Sequence, residues 1–301
     1  MKGKKPTLNN LVHMNRKFIL LGLAPLVLPF AVLFCGGVML TFCQSLGVFT
    51  PLPYGGKGLD AYKALLFLPW FWDSFFFSVK VAGVSAFFSV AAGTLLAYEI
   101  WKLPDNLKAA AIVYKIPLIL PHIAAAFVVL IFWSRSGILA SAAHGLGLIT
   151  SMDQFPNLLY SGQGLGMILA YSLKGTPFAM ILVMAQLSRF DVRQVQTAAM
   201  LGASRPKIFF KIVLPRLLPA VHTGFIILFL YGFGAFDIPY VLSESRPGML
   251  SIHVYDLFFR HDLSRRPEAM AILTMMFCFA FCFIIIYSHL VNRMENGVRK
   301  I

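Results

Sequence analysis

The sequence predicts an all-α integral membrane protein with six transmembrane helices, and three observations predict it. Of its 301 residues, 58% are hydrophobic and only 13% charged, with a mean hydropathy of +0.77, whereas a soluble domain keeps about a quarter of its residues charged. Six apolar runs approach or exceed the ~20 residues a helix needs to span the hydrocarbon. The net charge of +14 is carried in short segments between those runs and not on one face. A membrane surface with anionic lipids accounts for it better than a polyanionic partner in solution.

The first run, residues 18–42, has no ionisable side chain except the Cys35 thiol. It is longer than the 7–15 residues of a cleavable signal and no small-residue cleavage site follows, so it stays as a span. The second run is 81–98, extended backward by Trp72 and by Phe75, Phe76 and Phe77. The third, 116–133, contains Pro117 and Pro121, which should bend it. The fourth, 164–187, should be broken by Lys174, Gly175 and Pro177. The fifth and sixth are 217–236 and 269–291, with Pro267 and Glu268 suited to the first turn of the last helix. Cys35, Cys43, Cys278 and Cys282 lie inside apolar runs without a C-x-x-C spacing, so they read as core or lipid-facing residues.

Lysine and arginine set the orientation, because loops rich in them stay in the cytoplasm. Sixteen fall on the side of the amino terminus, among them Lys2, Lys4, Lys5, Arg16, Lys17, Lys102, Lys108, Arg189, Arg193, Arg205, Lys207, Lys211, Arg216, Arg293, Arg299 and Lys300. Seven fall on the other: Lys57, Lys63, Arg135, Arg246, Arg260, Arg265 and Arg266. Both termini and the loop 188–216 are therefore expected in the cytoplasm. The chain divides into a basic tail at 1–17, a first span with its outer loop at 18–70, a five-span core at 71–291 and a short tail at 292–301.

The loop 188–216 is the most informative stretch. Asp191 can cap a short helix in which Ala198 and Ala199 allow close packing, and Gly202 can take the left-handed conformation that ends it. Ser204 is a good N-cap for a second helix, with Pro206 in its first turn. Ile208, Phe209 and Ile212, flanked by Lys207 and Lys211, form an apolar stripe that reads as an exposed docking surface, and Leu214 and Pro215 should close this helix before the fifth span begins.

These residues resemble the "EAA" signature of binding-protein-dependent importer permeases, in which a Glu-Ala-Ala triplet precedes a Gly and, after nine more residues, an Ile-x-Leu-Pro. Gly202 is followed by nine residues and then Ile212-Val213-Leu214-Pro215, a full match in spacing. Gln196 stands where the family has Glu and Thr197 where it has the first Ala, while Met200 replaces a frequent Asp. Gln keeps the length and an acceptor oxygen but not the charge. Helix count and loop position agree over about 73–291.

The resemblance implies the MetI-like fold of a type I ATP-binding-cassette importer permease. The coupling residues it implies are Gln196, Ala198, Ala199, Gly202, Ala203, Ser204, Lys207, Ile208, Phe209, Ile212, Leu214 and Pro215. They would sit in a groove of a separate ATPase dimer. With no G-x-x-x-x-G-K-[ST] loop in this chain, ATP and Mg are expected on that partner, with no cofactor or metal here and no enzyme activity of its own. A second permease copy or relative would complete the pore, and a periplasmic or extracellular binding protein would deliver substrate.

Lys174, within the fourth span, is a candidate for the translocation pathway, since a charge there is costly unless it faces water or a partner. The bland alternative is a lysine paired with a carbonyl freed by Pro177. Tyr231, Phe233 and Phe236 could form an aromatic gate, with Asp237 at the outer end. His253, Asp256 and His261 lack the spacing of a metal site, and Val254, Leu257 and Phe258 instead predict a short amphipathic helix on the outer surface. An ion-driven secondary transporter is the main alternative function, but the helix interiors offer essentially no buried carboxylates for it. A membrane enzyme would need a cluster of His, Asp or Glu at one membrane face, and only the weak outer-loop set exists. The segment Gly234-Ala235-Phe236-Asp237-Ile238-Pro239 and the helix start Arg266-Pro267-Glu268-Ala269 look similar to the permease branch that carries polyamines, phosphonates, ferric iron or thiamine.

Overall fold

The computed structural model describes residues 16–50, 58–104, 107, 110–244 and 247–298. The basic tail before Arg16, Lys57, Lys108, Arg246, Arg299 and Lys300 lie outside the described residues. Among the described residues, six helices are long and apolar enough to cross a membrane: Gly22–Ser45, Pro69–Trp101, His122–Gly145, Leu165–Leu187, Arg205–Gly234 and Leu263–Val291.

The second span forms the spine and packs most extensively against the fourth and the fifth. It does so through small side chains on one face, Ser78, Ala82, Ser85, Ala86, Ser89 and Gly93, buried at helical spacing. Without a hydrophobic driving force in lipid, helices associate by close packing, and small residues permit it. Gly93 meets the fourth span so closely that a Cβ would lie 2.7 Å from the Thr176 carbonyl oxygen and 3.0 Å from the Met180 amide nitrogen. The serine hydroxyls donate to carbonyls of their own helix, Ser78 to Ser74 at 2.7 Å and Ser89 to Ser85 at 2.7 Å.

The fourth span corrects one expectation. Residues 165–187 form a continuous helix with Pro177 inside it. Gly175 is not a break but a contact, its α-carbon facing the Ser89 side chain. Neighbouring spans bury this stretch and hold the helix through the one hydrogen bond that Pro177 removes.

The third span does break, further than a bend. A 3₁₀ segment Ala110–Lys115 leads into the short helix Ile116–Ile119. Leu120 then turns extended with ψ 136, and Pro121 (ψ 151) starts the helix His122–Trp133. Proline biases the residue before it away from the α region, which places the break at Leu120.

The first span lies on the outside and packs mainly on the sixth; none of its membrane-crossing window is buried. Its Cys35, like Cys278 and Cys282 of the sixth, is exposed, in keeping with a lipid-facing role. Phe225, Phe229, Phe233, Phe279 and Phe283 stack between the fifth and sixth spans, with Phe229 and Phe283 centroids 4.2 Å apart.

Candidate functional site

Two regions gather the residues that the sequence singles out. The first is the hairpin between the fourth and fifth spans. The Asp191 carboxylate accepts from the Arg193 amide at 3.0 Å ahead of the helix Arg193–Met200, but the N-cap position falls on Val192, which has no side-chain capping bond. The helix ends where Gly202 adopts φ +79. The Ala203 amide reaches back to the Ala198 carbonyl and the Gly202 amide to that of Ala199, both at 3.0 Å. That bonding pattern is a Schellman motif, and it needs a residue tolerant of positive φ at this position. Ser204 occupies the extended N-cap position of Arg205–Ile208 with Pro206 in the first turn, but its hydroxyl makes no capping bond.

Two expectations are corrected here. Leu214 and Pro215 do not close the second helix. A π-helical turn, Phe209–Val213, carries the chain from Arg205–Ile208 directly into Leu214–Gly234, so hairpin and fifth span form one continuous rod. Nor is the apolar stripe exposed. Ile208 and Phe209 are 5% and 7% accessible and, with Val213 and Leu217, pack against Ala97, Tyr98, Val183 and Leu187; Ile212 is half-buried beside them. The Phe209 ring lies 4.8 Å from that of Tyr98. The stripe faces inward because the ends of the second and fourth spans offer it an apolar seat.

The outward side chains are ones that sequence reasoning passed over as docking groups: Met200 and Leu201, 89% and 83% accessible, and Phe210 at 61%. Gln196, Ala199, Lys207 and Lys211 are exposed as well, while Ala198 and Ala203 are half-buried against the anchor. A methionine where the family pattern has an acid was the available signal, since it makes the hairpin tip apolar.

The second region is a partly open cavity of about 270 Å³ lined by residues of the second, third, fourth and fifth spans. Lys174, only 9% accessible, sends its ammonium into the break of the third span. It donates to the carbonyls of Pro117 at 3.0 Å, Leu118 at 3.2 Å and Leu120 at 2.5 Å. An ammonium has three donors, and all three are matched. The lysine therefore does capture proline-freed carbonyls, but those of Pro117 and Pro121's span and not those left by Pro177.

Beside it stand His122, Tyr171 and Tyr231, with the His122 and Tyr231 rings 4.8 Å apart and the two tyrosine rings 6.2 Å apart. His122 lies within Coulombic reach of both Lys174 and Asp237. The three aromatics of the expected gate point different ways. Tyr231 lines the cavity. Phe233, 2% accessible, is packed into the core against Phe75 and Phe279 and does not line the cavity. Phe236 joins an outer cluster with Tyr240 and Tyr255. Asp237 is exposed at the start of Asp237–Leu242. His122 and Tyr171 were missed by sequence reasoning, although an imidazole inside an apolar run was visible.

At the end of the spans away from the hairpin a larger hollow of about 1130 Å³ is lined by residues including Trp70, Asp73, Lys80, His253 and Arg265. Lys80 donates to Gln163 at 2.7 Å, and the Glu244 carboxylate accepts from the amides of Gly162 and Gly164. His253 stacks 4.8 Å from Trp70, and burial pushes its imidazole below the usual histidine range, against the opposing pull of Asp256. The predicted outer helix is present as Leu250–Tyr255 running into a π-turn Asp256–Arg260. Among the described residues no cluster of His, Cys, Asp or Glu fits a metal ion.

A family model described as "Binding-protein-dependent transport system inner membrane component" matches residues 19–296. A probable ABC transporter permease protein of Brucella abortus biovar 1 is 28% identical over 236 residues, covering 75% of this chain and 78% of its own. The molybdenum transport system permease protein ModB of Escherichia coli K12 is 26% identical over 178 residues, 59% of this chain and 74% of ModB. The spermidine/putrescine transport system permease protein PotC of Haemophilus influenzae is 27% identical over 130 residues, 43% of this chain and 49% of PotC. A crystal structure of a bacterial alginate ABC transporter, in complex with alginate pentasaccharide-bound periplasmic protein, superposes with a TM-score of 0.76 at 18% identity, covering 94% of this chain and 96% of that one.

Proposed function

The chain belongs to the binding-protein-dependent transport system inner membrane components, the multi-pass permease subunits of ATP-binding-cassette importers, which are not themselves enzymes, and from this we propose that its hairpin 191–213 docks on a separate ATPase. The observation that carries the proposal is the arrangement of that hairpin. Its inner face is buried on the permease through Ile208, Phe209 and Val213, while Met200 and Leu201 at its tip and Phe210 on its outward face stay exposed. Large apolar groups left in water at a helical tip favour a partner groove. Gln196, one turn before Met200, supplies an uncharged acceptor beside them.

On this reading the hairpin and both termini are cytoplasmic, as the distribution of basic residues supports. ATP and Mg belong to the ATPase dimer. A second permease subunit supplies the other half of the pathway, with Lys174, Tyr231 and Asp237 along this half. The outer hollow beside Trp70 and His253 receives the binding protein that brings the substrate. Polyamine, phosphonate, ferric iron and thiamine are the candidates from sequence, and the likeness to ModB adds molybdate.

Gly202→Asp tests the docking. The Cβ of residue 202 meets nothing within 4 Å, so the permease should still insert and fold, while a charge and a positive-φ strain fall on the apolar tip. Copurification of the ATPase should drop sharply; undiminished copurification removes the hairpin from the interface.

A further inference from the structure

Around the apolar tip of the hairpin the charges are of one sign. Residues 188–216 hold six basic side chains, Arg189, Arg193, Arg205, Lys207, Lys211 and Arg216, and one acid, Asp191. All six are exposed, and among the described residues no carboxylate pairs with any of them. Asp191 sits at the root, where its carboxylate accepts from the Arg193 amide. The stretch 194–204 carries no charge at all. The outward face therefore reads as an apolar tip, Met200 and Leu201, followed by Arg205, Lys207 and Lys211 around the exposed ring of Phe210.

Membrane orientation accounts for basic residues in such a loop but not for its lack of acids, because Asp and Glu count little toward orientation. Gln196 and Met200, both exposed, stand where the signature has Glu and a frequent Asp. The turn after the second span, at the same end of the bundle, keeps its acid, with Glu99 paired to Lys102 at 2.6 Å. Nor does the lipid surface reach every cation. Arg189 and Arg216 stand at the ends of the fourth and fifth spans, at headgroup depth. Counting back from Arg216 along the continuous rod at 1.5 Å per residue, Lys207 lies about 13 Å and Arg205 about 16 Å farther out. The headgroup layer adds only about 5–8 Å per leaflet, so these two stand beyond it, a few residues from Leu201.

We propose that the hairpin fits an apolar groove of the ATPase rimmed by Asp and Glu side chains, with Arg205, Lys207 and Lys211 facing those acids. The inference rests on the docking reading and adds the chemistry of the partner's surface. Complementary charge at a rim speeds encounter and excludes wrong partners more than it tightens the complex. An ATPase whose groove turns a cation toward this face is rejected by repulsion, and one with an acidic rim is admitted.

The test uses the full chain in lipid nanodiscs with the ATPase that copurifies with it, recognised by its own G-x-x-x-x-G-K-[ST] loop. A carbodiimide joins a lysine amine to a touching carboxylate as an amide, so Lys207 or Lys211 should become linked to an Asp or Glu of the ATPase. Raising salt from about 0.05 M to about 0.5 M shortens the screening length, and the association rate should fall on the order of tenfold. Arg205→Glu with Lys207→Glu should weaken binding roughly 3- to 10-fold; both side chains are exposed and unpaired, so thermal unfolding should be unchanged. Gln196→Glu should weaken it too, acid meeting acid. Tighter binding by Gln196→Glu, no lysine link, or association indifferent to salt each overturns the acidic rim while docking through the hairpin stands. Phosphatidylglycerol nanodiscs that shield Lys207 from trypsin without any ATPase, as well as the ATPase does in phosphatidylcholine, would assign the cations to the membrane and overturn it as well. An ATPase that never copurifies would sink the docking reading itself.

Discussion

The hairpin and the cavity do their holding by different physics. The hairpin is one contiguous stretch of chain in water, and it keeps its shape by a Schellman turn at Gly202 and by burying Ile208, Phe209 and Val213 on the spans beneath. The cavity is assembled from four separated segments. It keeps its shape because an ammonium from the fourth span occupies a gap in the third. In water, apolar burial is the stronger fastener; in lipid, where apolar side chains gain little by meeting, unsatisfied backbone is the larger cost and a polar clasp prevails.

The largest effect expected from breaking this contrast is at Lys174. Lys174→Met leaves three carbonyls without a donor, at about 1–3 kcal/mol each, so the yield and thermal stability of folded permease should fall steeply. A variant that assembles and melts like the wild type would show that water, and not the ammonium, holds the third span.

Next come two neighbouring phenylalanines on opposite faces of the hairpin. Phe209→Ala empties a buried site and should cost about 3 kcal/mol, seen as faster protease cleavage between the fourth and fifth spans. Phe210→Ala, 61% accessible in the wild type, should change stability by under about 0.5 kcal/mol while weakening ATPase copurification. If the two variants behaved alike, the division into an anchored face and a docking face would be lost.

Gly202→Ala sharpens the same comparison. The added methyl finds open space, so only the positive φ matters, at about 1 kcal/mol. Gly202→Asn should recover part of that, because asparagine tolerates the left-handed region; hydrogen exchange of the Ala203 amide reports both.

The smallest effect is expected at the end of the spans away from the hairpin. Burial lowers the His253 pKa, so the unfolded state binds protons more readily than the folded one and stability rises with pH. The penalty should set in as pH falls below the ordinary histidine value of 6.5 and deepen until the folded-state value is passed. His253→Gln should flatten that acid-side decline in melting temperature.

How legible each region was in the sequence follows from the same contrast. The hairpin's turn is local: Gly202 and Pro206 act over a few residues, and the structure places both where composition and spacing put them. Its facing was not legible, because Ile208, Phe209 and Ile212 give the same apolar periodicity whether they meet a partner or their own protein. The first, second, fourth and sixth spans were readable to within several residues from hydropathy and length, whereas the third runs on to Gly145 and the fifth starts back at Arg205, well beyond their apolar runs. Whether a proline breaks a span was not legible. Pro121 opens the third helix and Pro177 leaves the fourth intact, and the difference lies in Gly93, Ser89 and Lys174 pressing on them from elsewhere. The partners of Lys174 are more than fifty residues away in the chain, and the burial of Phe233 depends on the sixth span.

The position of the first span sets a schedule for biogenesis. Its main neighbour is the sixth, which emerges from the ribosome after the other five. At about 5–20 residues per second, the amino-terminal helix waits in the bilayer for some tens of seconds before its docking surface has been synthesised. During that interval the lipid itself is its only solvent. A helix with such an exposed apolar circumference and with Ser45 bonded to Tyr62 at its outer end is equipped to stand alone until then.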